Sequence, residues 1–310
     1  MKPSYKPFEK GYLLLGDGHK IYYEACGNPT APPVLFLHGG PGGGFQEKDK
    51  TFFNPKKWKI ILFDQRGAGK SKPFASLQAN TTQHLVEDIR KVLRHFRIEK
   101  TFVFGGSWGS TLALVYAIRY PETVTGMLLR GIFLATKEEN RFYYQEGVKH
   151  FFPQEYERFM SMVPAREQKD PLKHYLKKMT TGSRKEQDTY AHEYSRYEMS
   201  ILKLENSEKK ILKTLKKIPY LSLGRIEAYY LANSCFIPEA YILKNIQKIK
   251  DIPITIVQGR YDVICPPINA YTLHKKLNKA KLYLVTAGHS SSDPAIRKKL
   301  ISEMRKAAAR

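Results

Sequence analysis

The stretch Thr101-Phe102-Val103-Phe104-Gly105-Gly106-Ser107-Trp108-Gly109-Ser110 decides the fold. Thr101 to Phe104 is a short β-branched and aromatic run, which reads as a buried strand. Thr111 to Ala117 reads as a helix that must end before Pro121. Strand, Gly-x-Ser-x-Gly and helix, in that order, make a sharp turn from which a serine hydroxyl projects as a nucleophile. Gly105 and Gly109 give the backbone room to turn. An ordinary Gly/Ser turn shares the five-residue pattern, but the flanks on both sides favour the nucleophile. A histidine and an acid must then follow downstream, in the right order.

Upstream, Tyr12–Leu15 and Lys20–Glu24 read as a β-hairpin closed at Gly16-Asp17-Gly18. Val34–Leu37 reads as a buried strand running into His38-Gly39-Gly40-Pro41-Gly42-Gly43-Gly44, a loop whose backbone N–H groups can approach a ligand closely. Gly40, together with Trp108 after the nucleophile, is the candidate pair of oxyanion donors. His38 precedes the serine and reads as a structural histidine. Trp58–Phe63 is a further strand, ending at Asp64-Gln65-Arg66-Gly67-Ala68-Gly69-Lys70-Ser71. Gly69-Lys70-Ser71 is not a phosphate-binding loop: Asp64 stands where its first glycine belongs, and no helix pattern follows. Asp64 and Arg66 are expected to hold the loop by local hydrogen bonds and an ion pair. Leu85, Ile89, Val92, Leu93 and Phe96 have helical spacing, which predicts a crossover helix over 82–96. Val124–Arg130 is the next strand.

From about residue 133 to 245 the chain turns helical, aromatic and highly charged. Strands resume at Ile254–Val257 and Lys281–Val285. The first runs into Asp262 and the second into His289, so an acid and an imidazole arrive at successive strand ends. The order Ser107, Asp262, His289 suits an α/β-hydrolase, with His289 taking the serine proton and Asp262 orienting the imidazole. The expected architecture is an α/β-hydrolase fold, a mostly parallel sheet flanked by helices. Its core comprises residues 1–132 and 246–310, and 133–245 form an inserted helical cap.

The composition is compatible with this and narrows the alternatives. With 42% hydrophobic residues in 310, the chain can bury a large core. Its three cysteines, Cys26, Cys235 and Cys265, form neither a disulfide framework nor a metal-ligand cluster, which fits a cytoplasmic location. Met1–Pro7 lacks the apolar core of a signal peptide, and no run is long enough to cross a membrane. The net charge of +23 is spread along the chain without a nucleic-acid-binding motif. It reads as a solvated lysine-rich surface, with no specific nucleic-acid or membrane partner expected. No metal or cofactor is expected. The oligomeric state is not legible.

The motifs together resemble the proline iminopeptidases (prolyl aminopeptidases). The resemblance rests on His38-Gly39-Gly40-Pro41-Gly42, Asp64-Gln65-Arg66-Gly67, Gly105 to Ser110, Leu129-Arg130-Gly131-Ile132-Phe133, Gly224-Arg225-Ile226-Glu227, Gly259-Arg260-Tyr261-Asp262 and Ala287-Gly288-His289-Ser290. It implies a serine exopeptidase that releases N-terminal proline from peptides, without a cofactor. It also implies that two cap glutamates hold the substrate's cationic N-terminus, one at Glu227 and the other at Glu198. Phe133 and Tyr143 match positions associated with the proline pocket, although either could equally be cap core. A solvated helix charge is the alternative for each glutamate. Two residues depart from the family pattern: Tyr197 replaces Trp, and Leu231 falls where Phe is frequent. Both bear on how narrowly the pocket selects proline.

Two rivals differ from this expectation. A capped esterase or amidase acting on non-peptide substrates would use the same triad, and only a demand for a free amino terminus separates the two. A basic binding protein that retains the fold without catalysis would have no use for an intact triad.

Overall fold

The computed structural model describes residues 4–309. Met1, Lys2 and Pro3, part of the N-terminal stretch read above, lie outside the described residues. The strands are β1 (Pro7–Leu14), β2 (Lys20–Gly27), β3 (Pro33–Leu37), β4 (Lys59–Phe63), β5 (Thr101–Gly106), β6 (Val124–Arg130), β7 (Ile254–Gly259) and β8 (Ala280–Val285). They form one sheet in the order β1-β2-β4-β3-β5-β6-β7-β8. β1 pairs antiparallel with β2 and β2 with β4, and every pair from β4 to β8 is parallel.

Alternation along the strands separates two cores. Leu35, Leu37, Ile61 and Phe63 face one side of the sheet, and Val34, Phe36, Ile60 and Leu62 the other. The first side is covered by α1 (Thr82–His95) and α2 (Trp108–Arg119). α2 is apolar nearly all round and buried from Trp108 to Ile118, as a helix enclosed by protein must be. On α1, Leu85, Ile89, Val92 and Leu93 face inward as their spacing predicts. Asp88 is fully buried too, because it meets a guanidinium there. Arg66 binds it through Nε (2.6 Å) and Nη2 (2.8 Å), and also pairs with Asp17 in the β1–β2 turn. Arg66 therefore reaches well beyond its own loop. Asp64 ties its own loop to the one after β3, accepting from the Lys70 and Phe45 N–H groups at 2.8 Å each.

Between β6 and β7 run α3 (Lys137–Arg141), α4 (Pro153–Ser161), α5 (Pro171–Thr181), α6 (Arg184–Ile201), α7 (Glu208–Leu215), α8 (Tyr220–Ala232) and α9 (Tyr241–Lys244). These helices have a core of their own, and it is aromatic. Phe159 stacks on Tyr175 at 4.3 Å and on Tyr197 at 4.6 Å, with Tyr144 and Tyr194 beside them. α6 starts at a capping box, Ser183 with Glu186, that satisfies two orphan N–H groups. Gly224 lets α8 approach α6 closely, since a Cβ there would meet the Ala191 carbonyl at 3.3 Å. Ile226 and Tyr230 of α8, and Cys235 to Ile246 beyond it, pack on the sheet's own core, with the Tyr230 ring 4.9 Å from Trp108. α10 (Pro267–Lys275) packs on β7 and β8, and α11 (Pro294–Ala307) covers the second side of the sheet.

Candidate active site

Parallel strands share a direction, so the residues following β3, β5, β7 and β8 gather at one edge, where open α/β sheets bind their ligands. Ser107 follows β5 directly, with φ +57° and ψ −128°, a left-handed region that non-glycine residues rarely occupy. Its N–H is fixed by the Arg130 carbonyl at 2.8 Å. The turn is tight enough that a Cβ on Gly105 would fall on the Gly109 carbonyl, and one on Gly109 on the Leu37 carbonyl.

His289 meets Asp262 as the order along the chain predicts: its Nδ1 lies 2.8 Å from Asp262 Oδ2. Asp262 is held by four donors in all. The N–H groups of Ile264 (3.0 Å) and Cys265 (2.8 Å) reach Oδ1, and Gln258 Nε2 (2.9 Å) joins His289 at Oδ2. Gln258 also accepts from the Ile132 N–H at 2.9 Å, tying the acid to β6's exit. The backbone of His289 donates to Leu202, just past α6, so the helical segment helps to fix the imidazole. Burial holds the imidazole pKa below its ordinary value, with the Arg130 charge adding to the effect and Asp262 opposing it. The neutral form, able to act as a base, is thereby favoured.

Arg130 is the unexpected neighbour. Its Nη1 donates to His289 Nε2 at 2.9 Å and to the His289 carbonyl at 2.9 Å. The lone pair that should accept the serine proton faces a guanidinium, and the Ser107 hydroxyl lies beside the Cys265 thiol. A donor at Nε2 requires the proton on Nδ1, toward Asp262, which is the tautomer a general base needs. Among the described residues, Arg130 has no carboxylate within ion-pairing distance, and its buried Nε has no partner.

The glycine loop after β3 lies against the turn. His38 Nε2 accepts from the Gln65 N–H, and Gln65 Nε2 donates to the His38 carbonyl, both at 2.9 Å. Gln65 Oε1 takes the Trp108 indole N–H at 2.8 Å, locking loop to turn. Burial pushes the His38 pKa down to about 4, so this histidine is neutral and structural. Gly40 lines the same spaces as Ser107. Among the described residues, neither its N–H nor that of Trp108 has a hydrogen-bond acceptor.

Behind Ser107 lies a small pocket of about 40 Å³ lined by Gly40, Phe133, Tyr143, Leu231, Glu198 and Glu227, among others. Tyr143 reaches it because α3 continues into a π-helical turn at Phe142–Glu146. Glu198 on α6 and Glu227 on α8 are both buried and line this pocket together, each within reach of the other's charge. Tyr194 donates to Glu227 Oε1 at 3.2 Å. Burial pushes Glu198 up to about 7. Glu227 is driven well above the carboxylate range by burial and by the Glu198 charge. Oε2 of each glutamate has no partner among the described residues, nor does the Tyr143 hydroxyl. Glu139, which also lines the pocket, is by contrast fully engaged by Leu134, Thr136 and Asn269. Two unpartnered carboxylate oxygens on residues lining one small space can accept from two N–H donors. On the open side, a wider space of about 270 Å³ joins Ser107, Arg130 and His289 to the surface.

A family model described as the α/β-hydrolase fold matches residues 32–294. The chain is 42% identical to a proline iminopeptidase of Arabidopsis thaliana over 299 residues, covering 96% of this chain and 79% of that protein. It is 42% identical to one from Xylella fastidiosa (94% of each chain) and 38% identical to one from Neisseria meningitidis (94% and 93%). The chain belongs to the proline iminopeptidase family. An esterase from Exiguobacterium antarcticum superposes with a TM-score of 0.70 at 19% identity, covering 97% and 100% of the two chains, and this likeness shows the fold alone.

Beyond the residues given a role from the sequence, the site includes Arg130 and Gln65, which lie in motifs quoted for the resemblance, and Gln258 and Cys265, which do not. Arg130 carried a signal, since it is a charge ending the otherwise apolar run Met127-Leu128-Leu129. Gln65 stood in a quoted motif without a role, and Gln258 and Cys265 carried no signal, being ordinary residues at a strand end and in a loop. Tyr197 stands behind the pocket, edge-on to Tyr143 at 5.6 Å and donating to the Tyr143 carbonyl at 3.4 Å. Leu231 lines the pocket directly. Of the two departures from the family pattern, Leu231 is therefore the one in contact with the space itself.

Proposed function

We propose that the protein is a serine exopeptidase that removes N-terminal proline from peptides, with residues 133–245 acting as the cap that selects the substrate. The observation that carries this reading is the pair of buried glutamates with one orphaned oxygen each, lining the same small pocket as Ser107. A prolyl N-terminus is a secondary ammonium with two N–H donors, one for each carboxylate. The pyrrolidine ring packs against Phe133, Tyr143 and Leu231, and a residue preceding the proline would replace an N–H that the two carboxylates need. The related enzymes named above support the same substrate.

In the mechanism, His289 Nε2 leaves Arg130 and takes the Ser107 proton while Oγ attacks the prolyl carbonyl. The Gly40 and Trp108 N–H groups receive the oxyanion. His289 then protonates the leaving amine, the rest of the peptide departs through the wider channel, and water repeats the cycle on the acyl-enzyme. The deciding experiment compares hydrolysis of proline naphthylamide, alanine naphthylamide and a simple acetate ester. Strong preference for the prolyl amide is expected. Equal turnover of the ester and the prolyl amide would favour the esterase reading.

A further inference from the structure

The parallel strands have a second end, far from the chemistry. There the N-terminal ends of β3, β5, β6, β7 and β8 border a cavity of about 470 Å³, larger than either space beside Ser107. That volume is in the range of small-molecule sites, roughly 300–1,000 Å³. Its walls include Trp58, Phe102, Met127 and Leu128, and four lysines line it, Lys100, Lys279, Lys281 and Lys306. Glu303 also lines it, but Lys299 (2.9 Å) and Lys306 (2.8 Å) neutralise that carboxylate. Among the described residues, Lys100, Lys279 and Lys281 have no carboxylate within ion-pairing distance. The second observation is Trp58, which is 3% exposed and has an indole N–H without a partner among the described residues. An unpaired buried donor is costly, so most such groups have an acceptor. Apolar walls, unpaired cations and an orphaned donor all call for one chemistry.

We infer that this cavity binds an amphipathic carboxylate. Its hydrocarbon chain lies on Phe102 and Leu128, which share one side of the sheet with Trp58, and its carboxylate takes the Trp58 N–H and the charge of the lysine rim. The site is separate from the peptidase site, so its occupant is neither substrate nor product of the prolyl reaction.

The molecule carries its own reporter, since it has two tryptophans and only Trp58 lines this cavity. Titration with monomeric octanoate is expected to change tryptophan emission saturably while leaving prolyl amide hydrolysis unchanged. Octanol (chain without charge) and acetate (charge without chain) should give no saturable change. In Lys279→Glu/Lys281→Glu, which alters only exposed side chains, octanoate should bind ~10-fold more weakly or worse, as loss of about 1.4 kcal/mol requires. Trp58→Phe should abolish the emission change and weaken binding measured by calorimetry. Equal binding of octanol and octanoate would overturn the inference, as would indifference to the charge reversal. Persistence of the signal in Trp58→Phe, or competitive inhibition of prolyl hydrolysis, would assign octanoate to the Ser107 site instead. Binding to anionic vesicles without binding of monomeric octanoate would replace the site with a membrane-facing surface.

Discussion

The sheet edge and the helical segment position their functional groups by different physics. At the sheet edge, the backbone does it: Ser107 is thrust out by a left-handed turn, and Asp262 is gripped by two N–H groups of its own loop. In the helical segment, Glu198 and Glu227 sit on separate helices and meet only because aromatic packing brings α6 and α8 together. A backbone device tolerates change in the side chains around it, whereas a packing device does not. Chemistry should therefore depend on the sheet edge, and substrate choice on the helices.

The sharpest break in that comparison is Ser107→Ala. Loss of a triad nucleophile is expected to cost on the order of 10⁶-fold in kcat on every substrate, amide or ester, with the fold intact by circular dichroism. Turnover at the wild-type rate by the folded variant would remove Ser107 from the mechanism. Glu227→Gln should behave differently, because it keeps size and some hydrogen bonding but removes charge. Losing one partner of a desolvated charge pair costs roughly 2–5 kcal/mol. That is ~30- to several-thousand-fold in kcat/KM on a prolyl amide. An ester without an amino group should lose far less, so the ratio of the two losses is the measurement. Equal losses would make Glu227 structural.

This division also explains what was legible in the sequence. Strand ends announce themselves through apolar runs that stop at Gly, Asp or His, so Ser107, Asp262 and His289 could be placed without a structure. Glu227 and Glu198 could be named only through family resemblance, because nothing in Arg225-Ile226-Glu227 or Arg196-Tyr197-Glu198 says which side of a helix faces inward. α6 places both Arg196 and Glu198 out of solvent, the arginine through its pairs with Glu155 and Glu208. The burial of Asp88 is illegible for the same reason, since nothing in the sequence of α1 shows the arginine that it meets. The partner lay 22 residues away, and no periodicity reports it.

Arg130 offers a smaller and more specific test, because it bonds directly to His289 at the sheet edge. Its charge helps to hold the His289 pKa down, second to burial. Arg130→Met should raise that pKa. Since His289 must be neutral to act, the acid limb of the ester pH profile should move to higher pH. The ester is the right substrate for this test, as it makes no demand on the glutamates. An acid limb that does not move would mean that Arg130 sets geometry and not charge.

The smallest expected effect concerns stability, and it separates the two regions without any turnover. Glu198 and Glu227 are both raised in the folded protein, whereas the unfolded chain titrates them near the ordinary ~4.3. The folded state thus binds the extra protons, and stability contributed by this pair is greatest at low pH. It falls as pH rises above the unfolded value, and for Glu198 it goes on falling until about 7. Glu227→Gln removes one member and its repulsion, so the variant should melt higher than wild type, by ~2–4 °C. The gap should widen from pH 5 to pH 7. Prolinamide should narrow it by stabilising wild type alone, because its ammonium supplies the charge the pair lacks. Ser107→Ala should show no such pH-dependent gap, since its turn holds no titrating pair. A Glu227→Gln protein that melts lower than wild type at pH 7 would mean that the two carboxyls are satisfied as they stand. The case for an ammonium between them would lose its physical motive.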